Sequence, residues 1–269
     1  PFTGNANDAS GNDIHGTIDG AVLATDRFGN PNSAYSFDGV NDLIDLPNML
    51  PNFENSTFVA WIKTSTYHNP NPGAIVSKPR AAGASASGLS LRVHSSPANL
   101  AQLALHNGSV YTTGQTGVSP TDGNWHLLVG TANGTQTKIY IDGVLSDSDS
   151  LTANGITSTQ PLAIGCDNGV SGGSYFFQGV IDDVRIYNRA LSETEIQELA
   201  GPAAASSLLL WFDANDVNGD GQADALADNS AVASWVDKAT AGNGVNTVAQ
   251  TDAAKRPLVK TSQQNGLPV

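Results

Sequence analysis

The chain has 269 residues, enough for one large core or for one domain and part of another, and its formal net charge is −13 with a pI near 4.4. That charge repels phosphate backbones and anionic lipid headgroups, so the sequence argues against nucleic-acid binding and membrane insertion, and it holds no run of about 18 apolar residues to span a bilayer. The 28 glycines, 13 prolines and 39% hydrophobic residues suit many short strands joined by turns better than packed helices.

Among the 25 acidic residues only Glu54, Glu193, Glu195 and Glu198 are glutamates, and the aspartate excess favours turns and oxygen-rich metal loops, which points to calcium. The single cysteine, Cys166, forms no internal disulfide and reads as a small buried residue; the absence of Cys/His clusters removes zinc-finger and iron–sulfur readings. The chain opens at Pro1 without a start methionine or signal peptide, as expected of a processed or excised piece of something longer.

In chain order, period-two alternation recurs over residues 57–63, 89–94, 101–106, 125–131, 138–141 and 179–187. Each run is bounded by Gly, Asn, Pro or Ser, which predicts antiparallel strands and an all-β, two-sheet sandwich. Asp142-Gly143 has the positive-φ chemistry of a type I′ hairpin turn. One short helix is predicted from Ser192, where Ser-Glu-Thr-Glu sets Glu195 three residues after the cap, and it should stop at Gly201-Pro202. The small, flexible residues 201–206 then read as a linker between a first domain, 1–200, and an incomplete second β module, 207–269. That tail loosely echoes the start of the chain, and about 69 residues cannot complete a sandwich. Its open strands must pair with the first domain, pair with another chain in self-association, or lack their partners.

The sharpest chemical motif lies in this tail, where residues 216–224 match D-x-N-x-D-G-x-x-D. Alternate side chains at its first, third and fifth positions converge on a cation while the sixth, glycine, permits the turn. Asp216, Asn218 and Asp220 are therefore expected as calcium ligands, with the Gln222 carbonyl and Asp224, direct or through water. Ala227 stands at the twelfth position, where a sensor loop carries glutamate, and Asp228 is the substitute; the alternative is a solvated Asp/Asn/Gly turn.

Strand phase gives two further candidates. Over 180–187, alternation places Val180, Asp182, Val184 and Ile186 on the apolar face and Asp183, Arg185 and Tyr187 outward, and a carboxylate in a buried phase needs a partner. Asp182 either holds a cation or accepts backbone N–H bonds at a bulge. The same logic sends Leu91, Val93, Leu103 and Leu105 inward, leaving Arg92, His94, Gln102 and His106 outward, and it turns Trp61 outward beside Lys63. An aromatic face with planar polar side chains is what sugar recognition uses, so these five residues form a candidate glycan face; cover by loops around residues 67–72 and Tyr111 is the competing reading.

Three stretches carry a family resemblance: AYSFDGVND at residues 34–42, FVAWIK at 58–63 and GVIDDVRIYNRALS at 179–192. They resemble the laminin-G-like, concanavalin-A-like lectin/glucanase jelly-roll domains of secreted bacterial proteins, over nearly all of residues 1–200. The resemblance implies two curved antiparallel sheets, often with structural calcium, in adhesins, in accessory modules of polysaccharide-degrading enzymes and in scaffolds. It also implies a calcium at Asp182, with Asp8 or Asp38 as partner. Relatives that cleave β-glucans carry E-x-D-x-x-E on a strand, two carboxylates about 5 Å apart, and none of the four glutamates here sits in that pattern. The motif at 216–224 resembles a dockerin or thrombospondin-repeat loop. The expectation is thus a non-catalytic, extracellular, calcium-binding module whose partner is a polysaccharide or surface glycan. The alternatives are a structural repeat of an extracellular fibre or sheath, and an accessory domain of a polysaccharide-degrading enzyme.

Overall fold

A computed structural model describes residues 2–48, 53–66, 72–78, 87–94, 100–107, 111–151, 160–167, 175–201, 234–236 and 247–249. The chain divides into two compact units, Pro1–Ala200 and Gly201–Val269. In the first, the strands are β1 (Thr17–Asp19), β2 (Val22–Ala24), β3 (Ala34–Asp38), β4 (Leu43–Leu46), β5 (Asn55–Lys63), β6 (Gly73–Lys78), β7 (Ser87–His94), β8 (Leu100–Asn107), β9 (Tyr111–Gln115), β10 (Trp125–Asn133), β11 (Gln136–Ile141), β12 (Val144–Ser150), β13 (Leu162–Ile164) and β14 (Gln178–Tyr187), followed by helix α1 (Glu193–Ala200).

These strands form two seven-stranded sheets, β1-β4-β13-β6-β7-β8-β9 and β12-β11-β10-β5-β14-β3-β2, with antiparallel pairing between neighbours. The alternation read from the sequence is what closes them. Leu91 and Leu103 from the first sheet meet Phe58, Ile62, Leu128, Ile139 and Ile181 from the second in one core, where each fully buried side chain contributes about 1.5–3 kcal/mol. The sheets approach closely at Gly130, where a Cβ would lie 2.8 Å from Leu103 Cδ1 and no larger residue fits unshifted. The expected β-sandwich is therefore the observed fold.

The local signals form as their chemistry dictates. Asp142 (φ 52°) and Gly143 (φ 79°) make the positive-φ turn between β11 and β12. At the helix start the Ser192 N–H and hydroxyl both meet Glu195 Oε2 at 2.8 Å, the Glu195 N–H returns to Ser192 Oγ at 3.3 Å, and Gly201 (φ 77°) follows the last helical residue. This segment lies over the outer face of the second sheet: Thr57 Oγ1 donates to the Arg189 carbonyl and accepts the Leu191 N–H, and Lys138 pairs with Glu193. Val59, Leu127, Val129 and Tyr140 point outward by register yet are buried, together with Ile196 and Ala200. Helix α1 thus serves as a cover for one face of the sandwich.

In the second unit the described strands are β15 (Ser234–Val236) and β16 (Thr247–Ala249), paired antiparallel with Trp235 opposite Val248. The calcium-loop motif at 216–224, with Asp216, Asn218, Asp220, Gln222 and Asp224, lies outside the described residues. Among the described residues no helix is long and apolar enough to cross a membrane.

Candidate functional site

The outer face of the first sheet carries the polar constellation. Leu89, Leu91 and Val93 enter the core, which turns Ser90, Arg92 and His94 outward. Cross-strand register then aligns Ala74, Arg92, Gln102 and Gln115 in one row over four strands, and Asp45, Ala163, Ser77, Ser90 and Ala104 in the next row over five. In the first row Arg92 donates from Nε (3.3 Å) and Nη2 (3.2 Å) to Gln102 Oε1, and Gln102 Nε2 donates to Gln115 Oε1 at 3.1 Å. Each side chain orients the next, so the hydrogen-bonding edges are fixed before any ligand arrives. Past Asp45 the second row is a floor of small, buried residues. Ser77 Oγ donates to the Cys166 carbonyl at 2.7 Å, but the Ser90 hydroxyl, on a residue 4% exposed, has no hydrogen-bond partner. Such a buried hydroxyl costs about 1–3 kcal/mol and is commonly found where a ligand or water completes it. His94 and His106 flank these rows, half-buried, opposite Leu100 and Gly88.

Trp61 does not join this group. It lies on β5 in the second sheet, opposite Leu127 and Asp182, so it faces away from Arg92 through the whole thickness of the sandwich. Arg27, from the loop after β2, stacks its guanidinium 4.8 Å from the Trp61 ring centroid and 4.4 Å from that of Phe28. The same guanidinium donates Nη1 to Asp182 Oδ2 at 2.6 Å and Nη2 to Asp183 Oδ2 at 3.0 Å, while Arg185 closes on Asp183 at 2.8 and 2.9 Å. The loop that presents Arg27 is fixed by Asp26, which accepts the Phe28 and Asn30 N–H groups and the Asn30 side chain.

A bulge corrects the phase read from the sequence. Asp183 takes φ 47°, and between Asp182 and Arg185 the strand inserts one residue relative to β5. Asp182 therefore shares the outer face with Trp61, Arg185 falls opposite Val59, and Val184 and Ile186 return to the core. Both aspartates are buried, although alternation turned Asp183 to solvent. Burial pushes the Asp182 carboxyl up against the opposing pull of Arg27; the Asp183 carboxyl is also desolvated, yet its hydrogen bonds to Arg185 hold it below the ordinary carboxylate range.

This arrangement does not fit the calcium implied at Asp182. The Arg27 guanidinium already supplies the cation there, and among the described residues no three metal-ligating side chains gather. Asp8 closes its own turn instead, accepting from the Ser10 N–H and hydroxyl and from the Asn12 and Ile14 N–H groups; Asp38 accepts the Val40 and Asn41 N–H groups. Asp182 Oδ1 is left buried without a hydrogen-bond partner.

Other titratable groups serve the scaffold. His126 is held between Asp142 (Nδ1, 2.8 Å) and Asp122 (Nε2, 3.0 Å), which raises its pKa, the Asp142 bond most. Lys78 is buried at the end of β6, donating to Asn48 Oδ1 and the Gln160 carbonyl, and burial pushes its pKa down to about 8. Cys166 is fully buried, its thiol pushed up to about 12 by desolvation, so it is not a nucleophile at neutral pH. Glu193 and Glu195 are tied to Lys138 and Arg189, Glu198 is on α1, and Glu54 precedes β5. A cavity of about 480 Å³ lies between residues 6–14 and β14, bordered by Phe2, Asp8, Ile164, Asp183 and Arg185.

Ser90, Gln115 and Arg27 were missed by residue-level reading. Ser90 shares the outward phase of Arg92 and was within reach of the same alternation; Gln115 joins only through register, and Arg27 only through a loop with no periodicity.

None of the curated proteins matches the chain. Among solved structures it is similar to domain 4 of AbnA, an extracellular arabinanase from Geobacillus stearothermophilus, in complex with arabinotriose: 22% identity, 73% of this chain, 93% of that one, TM-score 0.57. It is also similar to the binding domain of Paraclostridial Mosquitocidal Protein 1 (16%, 79% of this chain, TM-score 0.60) and to that of botulinum neurotoxin serotype D (18%, 97% of this chain, TM-score 0.54). The chain spans 52% and 66% of those two domains, and likeness at these identities speaks to fold. Residues 38–197 match a laminin-G family described as the concanavalin A-like lectin/glucanases superfamily, and to that superfamily the chain belongs.

Proposed function

We propose that residues 1–200 form a non-catalytic glycan-binding module whose site is the outer face of strands β6 to β9. The observation that carries this reading is the Arg92–Gln102–Gln115 ladder beside the unpartnered Ser90 hydroxyl: planar donors and acceptors held in fixed register over a small-residue floor, which suits ring hydroxyls. The arabinotriose bound to the arabinanase domain of like fold supports it. Trp61 belongs to the opposite side of the sandwich and is not part of this site. Glycan-array binding of the full chain tests the reading, with Gln102→Leu expected to reduce binding about tenfold or more, the cost of one unmade ligand hydrogen bond. An array without a hit would overturn it.

The second unit is proposed to take calcium through Asp216, Asn218, Asp220, Gln222 and Asp224, whose oxygen donors at alternate positions suit a hard cation. Thermal unfolding with calcium and after chelation tests this: ligand linkage raises the midpoint if the folded chain binds the ion, and an unchanged midpoint refutes it. An extracellular setting, adhesion to surfaces and pairing of the second unit with another chain are further parts of the proposal; sedimentation at several concentrations tests the last.

A further inference from the structure

The acidic residues of this chain are unevenly placed. From residue 55 to residue 121 there is no aspartate or glutamate, although the chain holds 25 of them in 269 residues; the same run carries Lys63, Lys78, Arg80 and Arg92, and His68, His94 and His106 of the five histidines. Within this run β6, β7, β8 and β9 are consecutive neighbours in the first sheet, and the connections between them belong to the same carboxylate-free stretch, while β5 with Lys63 lies in the second sheet and Lys78 is tied to Asn48 and the Gln160 carbonyl. Among the described residues Arg92 is the fixed positive charge of the outer face of β6 to β9, with His94 and His106 on either side.

Among the described residues of the first unit, the carboxylates stand at the margins of this face. Asp45 lies on β4, three strand spacings or about 14 Å from Ser90, beyond the screening length of about 8–10 Å at physiological salt. Asp147, on β12 of the other sheet, accepts the Gln115 N–H at 3.1 Å beyond the far end of the ladder. Asp167 is buried beside β6, where its backbone pairs with Tyr175, and its side chain is engaged. A polyanion that the net charge of −13 repels elsewhere therefore meets neutral and cationic chemistry on this face at contact range.

We infer that the β6–β9 face takes an acidic glycan, a polysaccharide bearing carboxylate or sulfate groups, with the Arg92 guanidinium at the anionic substituent and Gln102, Gln115 and Ser90 at the hydroxyls. This rests on the reading of that face as a glycan site. Arg92 uses Nε and Nη2 toward Gln102, which fixes the plane in which it meets an anion.

The full chain would be titrated calorimetrically with polygalacturonate, a sulfated galactan, neutral arabinan and oligothymidylate, each at about 50 and about 300 mM salt. The expected result is tighter binding to the acidic glycans than to arabinan by about tenfold or more, weakening at the higher salt, lost in Arg92→Gln and weakened in Arg92→Lys, which keeps the charge but not the planar fork. Lys138→Met, on the helix-covered face, should leave it intact. Equal or better binding of neutral arabinan would overturn the inference and leave the glycan reading standing; binding of no glycan would overturn both. Oligothymidylate bound as well as the acidic glycans would reduce the face to a polyanion patch and overturn the glycan assignment. Undiminished acidic-glycan binding by Arg92→Gln would move the ligand elsewhere, and a variant with a lowered unfolding midpoint is judged on Arg92→Lys.

Discussion

The two outer faces of the sandwich are built on opposite plans. On the second sheet, outward positions carry large side chains, Val59, Trp61, Leu127, Val129 and Tyr140, and the chain covers them with α1 and with the loop that presents Arg27. On the first sheet, outward positions are Ala74, Ser77, Ser90, Ala104 and Ala163, small residues that are buried too but lie beside a polar ladder. A face built of large apolar groups gains stability from an apolar roof, because exposed apolar area costs free energy; a floor of alanine and serine gains far less from one. Stability should therefore respond to changes on one side and ligand binding to changes on the other.

The sharpest break of this contrast is Arg27→Ala. It leaves Asp182 buried without its cation, so a loss of about 3–5 kcal/mol in chemical denaturation is expected, with ligand affinity per folded molecule unchanged. Next, Ile196→Ala removes the buried anchor of α1 and should cost about 2–4 kcal/mol, again without effect on binding. His126 supplies a smaller, pH-dependent term. Its folded pKa is raised above the ordinary 6.5, so its stabilisation is complete below that value and is lost as pH rises through the folded value; the midpoint difference between wild type and His126→Gln should shrink from pH 5 to pH 8.5. The smallest stability change belongs to the first sheet: Ser90→Ala removes an unsatisfied buried hydroxyl and should leave stability level or slightly higher, within about 1 kcal/mol, while weakening glycan binding about fivefold or more. A reversal, with Ser90→Ala destabilising and Arg27→Ala abolishing binding, would exchange the roles of the two faces.

Much of the fold was legible because its rules are local. Alternation marks strands, Asp142-Gly143 marks a hairpin and Ser192 with Glu195 marks a helix start, since each signal resides in a few consecutive side chains. The site was legible only in part. Alternation tells whether a side chain points in or out but not to which sheet its strand belongs, so Trp61 and Arg92 share an outward phase and lie on opposite sides. The bulge at Asp183 shifts the phase of β14 by one residue, which no periodicity over 180–187 reveals. The Arg27–Asp182 pair joins residues 155 positions apart, and only the closed sandwich brings them together.

The strand order also governs how the molecule must come into being. β14 sits between β5 and β3, and β13 between β6 and β4, so each sheet stays split until nearly the last strand has been made. A chain emerging from the ribosome can pair β1 with β4, β2 with β3, β7 with β8 or β10 with β11 early, but β3 and β4 each wait for a second partner, β14 and β13, more than a hundred residues downstream. Completion of this domain is thus expected to follow synthesis, with the Arg27 clasp on β14 among the last contacts to form.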